Sequence, residues 1–312
     1  MPHNPLEAAA LRWVPGNGPV DVRPLTAGLV NDSWQVARDG RLYSLRMSQS
    51  IGAELGVDRD WECRVLAQAS AAGLAPAVVR CEPGGNLLIA EWVNGRPWTA
   101  EEAQALPNIQ SMARLLHRVH ALPIPQPARV MSPRSWIEHY AAAASHGETA
   151  GRRSRDLHFA ADSRLDRWSA LPAADPVLCH GDLHRLNLMV ADRLMLLDWE
   201  YAHVTDPFWD LAGWISNNDW TEETASVLLA IYLGHIAGPA ELERMRLLAW
   251  LYDYVCLVWS ELYLSRQPGT QQQLETSGGA EAAFAEAALA GATRTVSVRA
   301  EELASRLANA LR

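Results

Sequence analysis

Val177-Leu-Cys-His180-Gly-Asp182-Leu-His184-Arg-Leu-Asn187-Leu-Met-Val190, followed shortly by Leu196-Leu-Asp198-Trp-Glu200-Tyr-Ala202, decides the reading of this sequence. The flanks are short β-like runs. An Asp and an Asn therefore share a loop between strands, and a second Asp closes a strand soon after. Such a layout can bring two carboxylates and an amide to one point. Phosphoryl transfer asks little covalent chemistry of a protein, but it needs a carboxylate to orient the attacking hydroxyl and accept its proton, and oxygen ligands for Mg²⁺ on the phosphates. Asp182 fits the first need, and Asn187 and Asp198 fit the second.

Two other readings compete. Loop aspartates are most often turn residues and caps, but that does not explain why Asp182, Asn187 and Asp198 recur together in a strand-loop-strand context. A metal-dependent hydrolase would use His180, Asp182 and His184 as ligands. Pro176 and the β-like flanks argue against a helix that sets the two histidines on one face, and His184 is read as a structural loop residue.

Working outward, the start of the chain predicts a helix over Pro5–Trp13 and three strands, Val20–Leu25, Ser33–Ala37 and Arg41–Met47, with turns at Ala27-Gly28 and Asp39-Gly40. Apolar residues at Trp61, Val65, Leu66 and Ala69 predict an amphipathic helix over Val57–Gly73. Strands Ala77–Cys81 and Asn86–Glu91 follow, joined by Pro83-Gly84-Gly85. After Asn94-Gly95 the pattern turns helical, with helices expected at Pro107–Leu122, Arg134–His146 and Ser154–Ala170 and from Pro207 onward. The boundary falls near Val93, giving a small α+β lobe over residues 1–93 and a larger helical lobe over 94–312, with a ligand cleft between them. Residues 267–279, rich in Gln, Gly, Ser and Thr, read as a flexible loop before an alanine-rich helix.

The chain has 312 residues, enough to bury a large core, and a net charge of −9 with dispersed basic residues. Nucleic acid and membrane surfaces are therefore not expected partners. There is no apolar run of membrane-spanning length and no signal-peptide pattern, so the expected location is the cytoplasm. The scattered cysteines Cys63, Cys81, Cys179 and Cys256 argue against a disulfide framework or a zinc site and read as small buried hydrophobes. Thirteen tryptophans against three phenylalanines is unusual; most are expected in the core, some on a cation-binding surface.

His180-Gly-Asp182-x-x-x-x-Asn187 resembles the catalytic loop of aminoglycoside phosphotransferases and choline kinases, small-molecule relatives of the protein kinases with their H-R-D-x-x-x-x-N loop. Asp198 matches the family's metal-binding Asp, and Asp206-Pro-Phe-Trp-Asp210-Leu-Ala resembles its D-P-x-x-D-L-A segment, where Asp210 would brace the loop. The resemblance implies a protein-kinase-like α+β fold, with a small antiparallel sheet lobe and a larger helical lobe, and ATP and Mg²⁺ as cofactors. It also implies that Arg46, at the end of the third strand, holds ATP phosphates and pairs with Glu62. The turn containing Gly28 and Asn31 resembles the family's phosphate loop, and Glu91 to Val93 the linker whose backbone binds adenine. A surface strand residue for Arg46 and an ordinary edge strand for Glu91 to Val93 remain open alternatives.

The resemblance implies that the helical lobe sets the acceptor hydroxyl. The Asp-Trp-Glu-Tyr-Ala segment looks most like bacterial choline and thiamine kinases, and Leu251 to Trp259 resembles the helix whose aromatic residues enclose a trimethylammonium group. Trp259 and Tyr254 are the candidates for such a cage, with Glu200 or Asp253 adding negative charge. Leu251, Tyr254, Val255, Val258, Trp259 and Leu262 also recur at helical spacing, so a pure core stripe stays open. A small cationic hydroxyl compound is the expected substrate. Thiamine, aminoglycosides or amino sugars, and a non-catalytic nucleotide-binding role are the alternatives.

Overall fold

The computed structural model describes residues 5–25, 29–144, 152–274 and 280–311. Helix α1 (Pro5–Trp13) leads into strands β1 (Val20–Pro24), β2 (Asn31–Arg38) and β3 (Arg41–Ser48). After the short α2 (Ile51–Glu54) and α3 (Arg59–Ala71), strands β4 (Val78–Glu82) and β5 (Leu87–Glu91) complete a five-stranded antiparallel sheet of order β1-β2-β3-β5-β4. The β2–β3 turn is the two-residue Asp39-Gly40, with φ of 49° and 75°, as a hairpin matched to strand twist requires. The Asp39 carboxylate also accepts the Asn17 and Gly18 amides (2.9 and 3.1 Å), tying the segment after α1 to the hairpin.

Helices α4 (Ala100–Gln104), α5 (Leu106–His120), α6 (Pro133–Ala144) and α7 (Arg152–Ser169) come next. Strands β6 (Val177–Cys179), β7 (Leu188–Val190), β8 (Leu194–Leu196) and β9 (His203–Thr205) then form two small ribbons, β6 with β9 and β7 with β8. Helices α8 (Phe208–Asn217), α9 (Glu222–Leu233), α10 (Pro239–Leu274) and α11 (Ala280–Asn309) end the chain. Helix α10 packs against α6, α7, α8 and α11, and its central place explains why Pro239–Arg266 is apolar and long enough to match a membrane span while being mostly buried in the protein.

Two apolar clusters hold the fold. The smaller joins Ala10 and Val14 of α1 to Val36, Tyr43, Leu45, Leu87 and Ile89 of the sheet. The larger fills the helical region and takes in Trp61, Val65, Leu66 and Ala69 of α3. In space α3, which precedes β4 and β5 in the chain, packs with the helical body. The Trp61 indole N–H donates to Ala202 O at 2.7 Å. Eight of the thirteen tryptophans are buried: Trp61, Trp98, Trp136, Trp199, Trp209, Trp214, Trp220 and Trp250.

Two expectations are corrected. The loop expected over residues 267–279 is helical as far as Leu274, because α10 runs on past the core; the rest of it lies outside the described residues. Cys63 and Cys81 form a disulfide, with Cα atoms 5.7 Å apart, that ties α3 to the edge strand β4, while Cys179 and Cys256 are free. Two isolated cysteines in sequence meet because a helix crosses beside a strand. Closing a loop of this length is worth about 3 kcal/mol, so a Cys63→Ala, Cys81→Ala double variant should unfold at lower urea, with an unfolding free energy reduced by about 2–3 kcal/mol; an unchanged midpoint would show that the bridge adds no constraint.

Candidate active site

Strand β3 delivers Arg46 to the centre of the molecule. Its guanidinium donates to Glu62 Oε1 on α3 (2.5 Å) and to Asp198 Oδ1 after β8 (2.9 Å). Arg59, at the start of α3, donates to Glu62 Oε2 (2.7 Å), Glu200 Oε2 (2.8 Å) and Asn31 Oδ1 (2.8 Å). The Asn31 amide returns a bond to Glu200 at 2.8 Å. Six side chains from separate parts of the chain thus form one network, and Glu62 at its middle is 1 % exposed. Burial works against the Arg46 charge, but Glu62, Asp198 and Glu200 hold the guanidinium above its ordinary range. Burial pushes Asp198 up, opposed by Arg46, and raises Glu200 to about 7 with help from Asp198.

The loop after β6 is held from below by Asp210, near the start of α8. Its buried carboxylate accepts the backbone N–H groups of His180 (2.8 Å) and Gly181 (2.9 Å) and meets His120 Nε2 at 3.2 Å. Gly181 has φ of 83°, and any side chain there would collide with the Tyr201 carbonyl. Both His180 nitrogens are used: Nε2–H donates to Leu197 O (2.8 Å) and Nδ1 accepts the Asp182 amide (3.3 Å). Burial lowers its pKa, so it is a neutral structural residue, and the arrangement leaves no nitrogen for a hydrolytic metal.

Asp182 faces the cleft. The Asn187 amide donates to Asp182 O (2.9 Å) and Oδ2 (3.1 Å), and His184 Nε2 lies 3.6 Å from Oδ2. Burial alone would raise this carboxyl, but His184, His180 and the Asn187 amide outweigh it and hold the group below its ordinary value. Asp182 is therefore ionised at neutral pH. The same charge raises His184 against its own burial. Asp198 takes the left-handed conformation, with φ of 57°, at the exit of β8. Trp199 beside it is fully buried, its indole N–H bonded to Leu196 O (3.0 Å) and its ring against His180.

Two cavities meet at this network. One, of about 320 Å³, runs under the sheet between Leu25, Ser44, Leu45, Leu88, Ala90, Glu91, Val93, Asn187, Met189 and Leu197. The other, of about 420 Å³, lies toward the helices and is lined by Asp182, His184, Glu200 and the rings of Trp136, Tyr140, Tyr201, Trp209, Tyr252 and Trp259. Ser33, Arg46 and Asp198 line both.

The structure gathers Arg46, Glu62, Asp182, Asn187, Asp198 and Glu200 into one site, and sets Trp259 on the second cavity with its indole N–H on Tyr201 Oη (2.8 Å). Asn31 is buried against Glu200 and lines the second cavity rather than the first. Glu91 lines the first cavity, but its carboxylate pairs with Arg41 on the surface at 2.5 Å. The amides of Glu91 and Trp92 donate to Ala77 O and Leu42 O, leaving the Val93 N–H without a partner among the described residues. Gly28 lies outside the described residues.

Asp253 and Tyr254 are placed elsewhere. Asp253 is taken by Ser216 and by Arg306 (2.6 Å) of α11. Tyr254 stacks on Trp250 and donates to Ser154 O (3.1 Å), in the core against α7. Trp136, Tyr140, Tyr201 and Tyr252 were not among the sequence candidates, because they are scattered along the chain and converge only in the fold. His184, read as a structural residue, instead faces Asp182 on the cavity wall.

A β3 cation paired to a glutamate on the following helix, above a braced loop with an Asp and an Asn, is the layout of a phosphotransferase of protein-kinase-like fold. Residues 21–248 match the phosphotransferase enzyme family, and the chain belongs to it. A segment is 35% identical over 88 residues to Protein LicA of Haemophilus influenzae, covering 25% of this chain and 26% of that one. The match therefore spans about a quarter of this curated relative. The choline kinase LicA from Streptococcus pneumoniae superposes with a TM-score of 0.70 at 17% identity, covering 95% of this chain and 98% of the other. LicA in complex with AMP gives 0.68 at 17% identity, with 94% and 97% covered. At these identities the shared feature is the fold.

Two consequences can be measured. Asp210→Ala strips two buried backbone N–H groups of their acceptor, and should lower the unfolding free energy by about 2–4 kcal/mol; a loss below about 0.5 kcal/mol would show that the brace bears no load. His203 is buried, with Nδ1–H on Tyr201 O (2.8 Å) and Nε2 accepting the Trp136 indole (3.3 Å), and burial lowers its pKa to about 4. The unfolded chain then binds the proton that the folded one refuses, so this contribution is complete above about pH 6.5 and lost as pH falls toward 4, on the order of 1–3 kcal/mol. Thermal melts between pH 7.5 and 4.5 should fall more steeply for the wild type than for His203→Gln, and parallel curves would remove this assignment.

Proposed function

We propose that the protein is a small-molecule kinase that moves the γ-phosphoryl group of ATP to the hydroxyl of a small cationic compound of the choline or ethanolamine kind. The observation that carries this reading is that two cavities meet at Arg46 and Asp198, with Asp182 on one side and Asn187 on the other. The cavity under the sheet suits the nucleotide: it has apolar walls for a base, an unpaired Val93 amide at its inner edge and the Arg46 guanidinium toward the phosphates. The other cavity suits the acceptor.

In this reading Asp182 receives the hydroxyl proton. It is ionised, and Asn187 and His184 fix its orientation. Arg46, charged and held by Glu62, hydrogen-bonds the phosphate oxygens. Because Asn187 donates through its amide nitrogen, its carbonyl oxygen is free to turn toward the nucleotide side. Asp198 offers the oxygen that Arg46 does not use. An amide carbonyl beside a carboxylate is an all-oxygen donor set that fits a hard divalent cation. Mg²⁺ bound there would neutralise charge on the transferring phosphates.

The rings of Trp136, Tyr140, Tyr201 and Trp259 favour a compact cation over a polycationic aminoglycoside. Trp136 stacks on Tyr140 and has the Arg129 guanidinium over its ring, so this wall already holds one cation against an aromatic face and offers an ammonium group the other rings that line the cavity. A many-ammonium antibiotic would need carboxylates, and of those on this wall Asp182 serves as base, Asp198 is paired with Arg46 and Glu200 is held by Arg59 and Asn31. A non-catalytic role is disfavoured because the base and both oxygen donors are present and adjacent.

ATP-to-ADP conversion with Mg²⁺, assayed against choline, ethanolamine, thiamine, glucosamine and kanamycin, should show saturable turnover with an amino alcohol. Asp182→Asn should lower kcat by about 10²–10⁴-fold with the fold retained. ATP consumption that no acceptor stimulates, or full activity in Asp182→Asn, would remove the reading.

A further inference from the structure

Arg299 of α11 lines the acceptor cavity beside Leu303, and nothing in the phosphoryl-transfer reading uses it. Helix α11 is anchored one step further on by Arg306, which donates to Asp253 Oδ1 (2.6 Å), Ser216 Oγ (3.0 Å) and Asp219 Oδ1 (2.8 Å). Positions 299, 303 and 306 follow the i, i+4, i+7 spacing of one helix face, so the anchor that holds Arg306 also turns Arg299 toward the cavity. The Asp253 carboxylate thus acts on the acceptor site through the helix it fixes.

Inside the cavity no carboxylate is hydrogen-bonded to Arg299 among the described residues; that of Asp253 feels its charge but is held by Arg306. The Arg299 guanidinium donates to the neutral Asn217 Oδ1 at 3.3 Å, and the carboxylate paired with it, Glu302, is 3.8 Å away and mostly in solvent. On the same wall Trp209 packs on Tyr252, and the buried Trp209 indole N–H has no acceptor among the described residues. The Tyr252 hydroxyl accepts from Asn217 at 3.1 Å. Arg299 and the unpartnered Trp209 N–H therefore give one end of the wall its donors, since the Asn217 amide is spent on Leu183 O and Tyr252, whereas Trp136, Tyr140, Tyr201 and Trp259 form an aromatic end. A plain monocation matches the aromatic end and is repelled at the other. A compound with an anionic group beside its ammonium matches both.

We propose that Arg299 binds a carboxylate of the acceptor, so that the substrate is a hydroxylated zwitterion whose ammonium meets the aromatic wall and whose carboxylate meets α11. This rests on the acceptor cavity assigned above, but not on phosphoryl transfer itself.

Matched pairs test it: serine against ethanolamine, which differ by a carboxylate on the ammonium carbon, and carnitine against choline, which differ by a carboxymethyl group on the hydroxyl carbon. Titration calorimetry without nucleotide on the wild type, Arg299→Met and Arg299→Lys reads binding, and ADP release reads turnover. The wild type should bind the carboxylated member of at least one pair ten-fold or more tighter. Arg299→Met should abolish that preference and Arg299→Lys should keep part of it. Equal or weaker binding of both carboxylated members by the wild type, or a preference that survives in Arg299→Met, overturns the proposal. The preference without any ADP release would overturn the kinase reading and leave this inference standing, while turnover of choline with no preference for carnitine would do the reverse.

Discussion

Everything near the site depends on keeping several charges out of water together. Arg46, Arg59, Glu62 and Glu200 are largely buried and Asp198 partly so, and each is stable only while its partners are in place. Removing one partner from such a set leaves a buried charge uncompensated, typically a loss of 3–5 kcal/mol. The set draws on β3, α3 and the segment after β8, and Asn31 joins the start of β2 to it, so the pairing requirement fixes these four pieces relative to one another. That is the geometry a phosphate-handling cleft needs, because the same residues form the seam between the two cavities.

The packing enforces this independently. Trp61 lies one residue before Glu62, is fully buried and bonds to Ala202 O, two residues beyond Glu200. The buried indole and the charge network hold the same two segments together from adjacent positions on α3. The Cys63–Cys81 bridge then ties α3 to β4. Beneath the loop, Asp210 turns two backbone amides into fixed points, so Asp182 projects from a backbone with little freedom to move. Preorganisation of this kind suits chemistry that relies on positioning and electrostatics.

Sequence and structure agree best where the physics is local. The strands were legible because alternating apolar residues ran between turn residues, and Asp39-Gly40 indeed makes the tight hairpin. Arg46, Glu62, Asp182, Asn187 and Asp198 were legible because each sits at a fixed offset from a strand end or a short motif. The acceptor wall was not. Tyr254 and Trp259 belong to one helical stripe, yet the fold puts Trp259 on the cavity and Tyr254 on Trp250 in the core. A periodic pattern gives the buried face of a helix without saying which neighbour covers each residue along it.

By itself, then, the sequence determined the element order and the small sheet followed by helices, since these follow from backbone propensity and apolar period, while its resemblance to a kinase loop singled out the residues proposed to handle phosphate. Only the tertiary structure decided that Cys63 meets Cys81, that Asp253 anchors α11, and that Trp136, Tyr140, Tyr201 and Arg299 share one cavity. Those residues are separated by up to most of the chain, and their meeting depends on how α6, α10 and α11 stack around a common core, a packing outcome that no local pattern encodes.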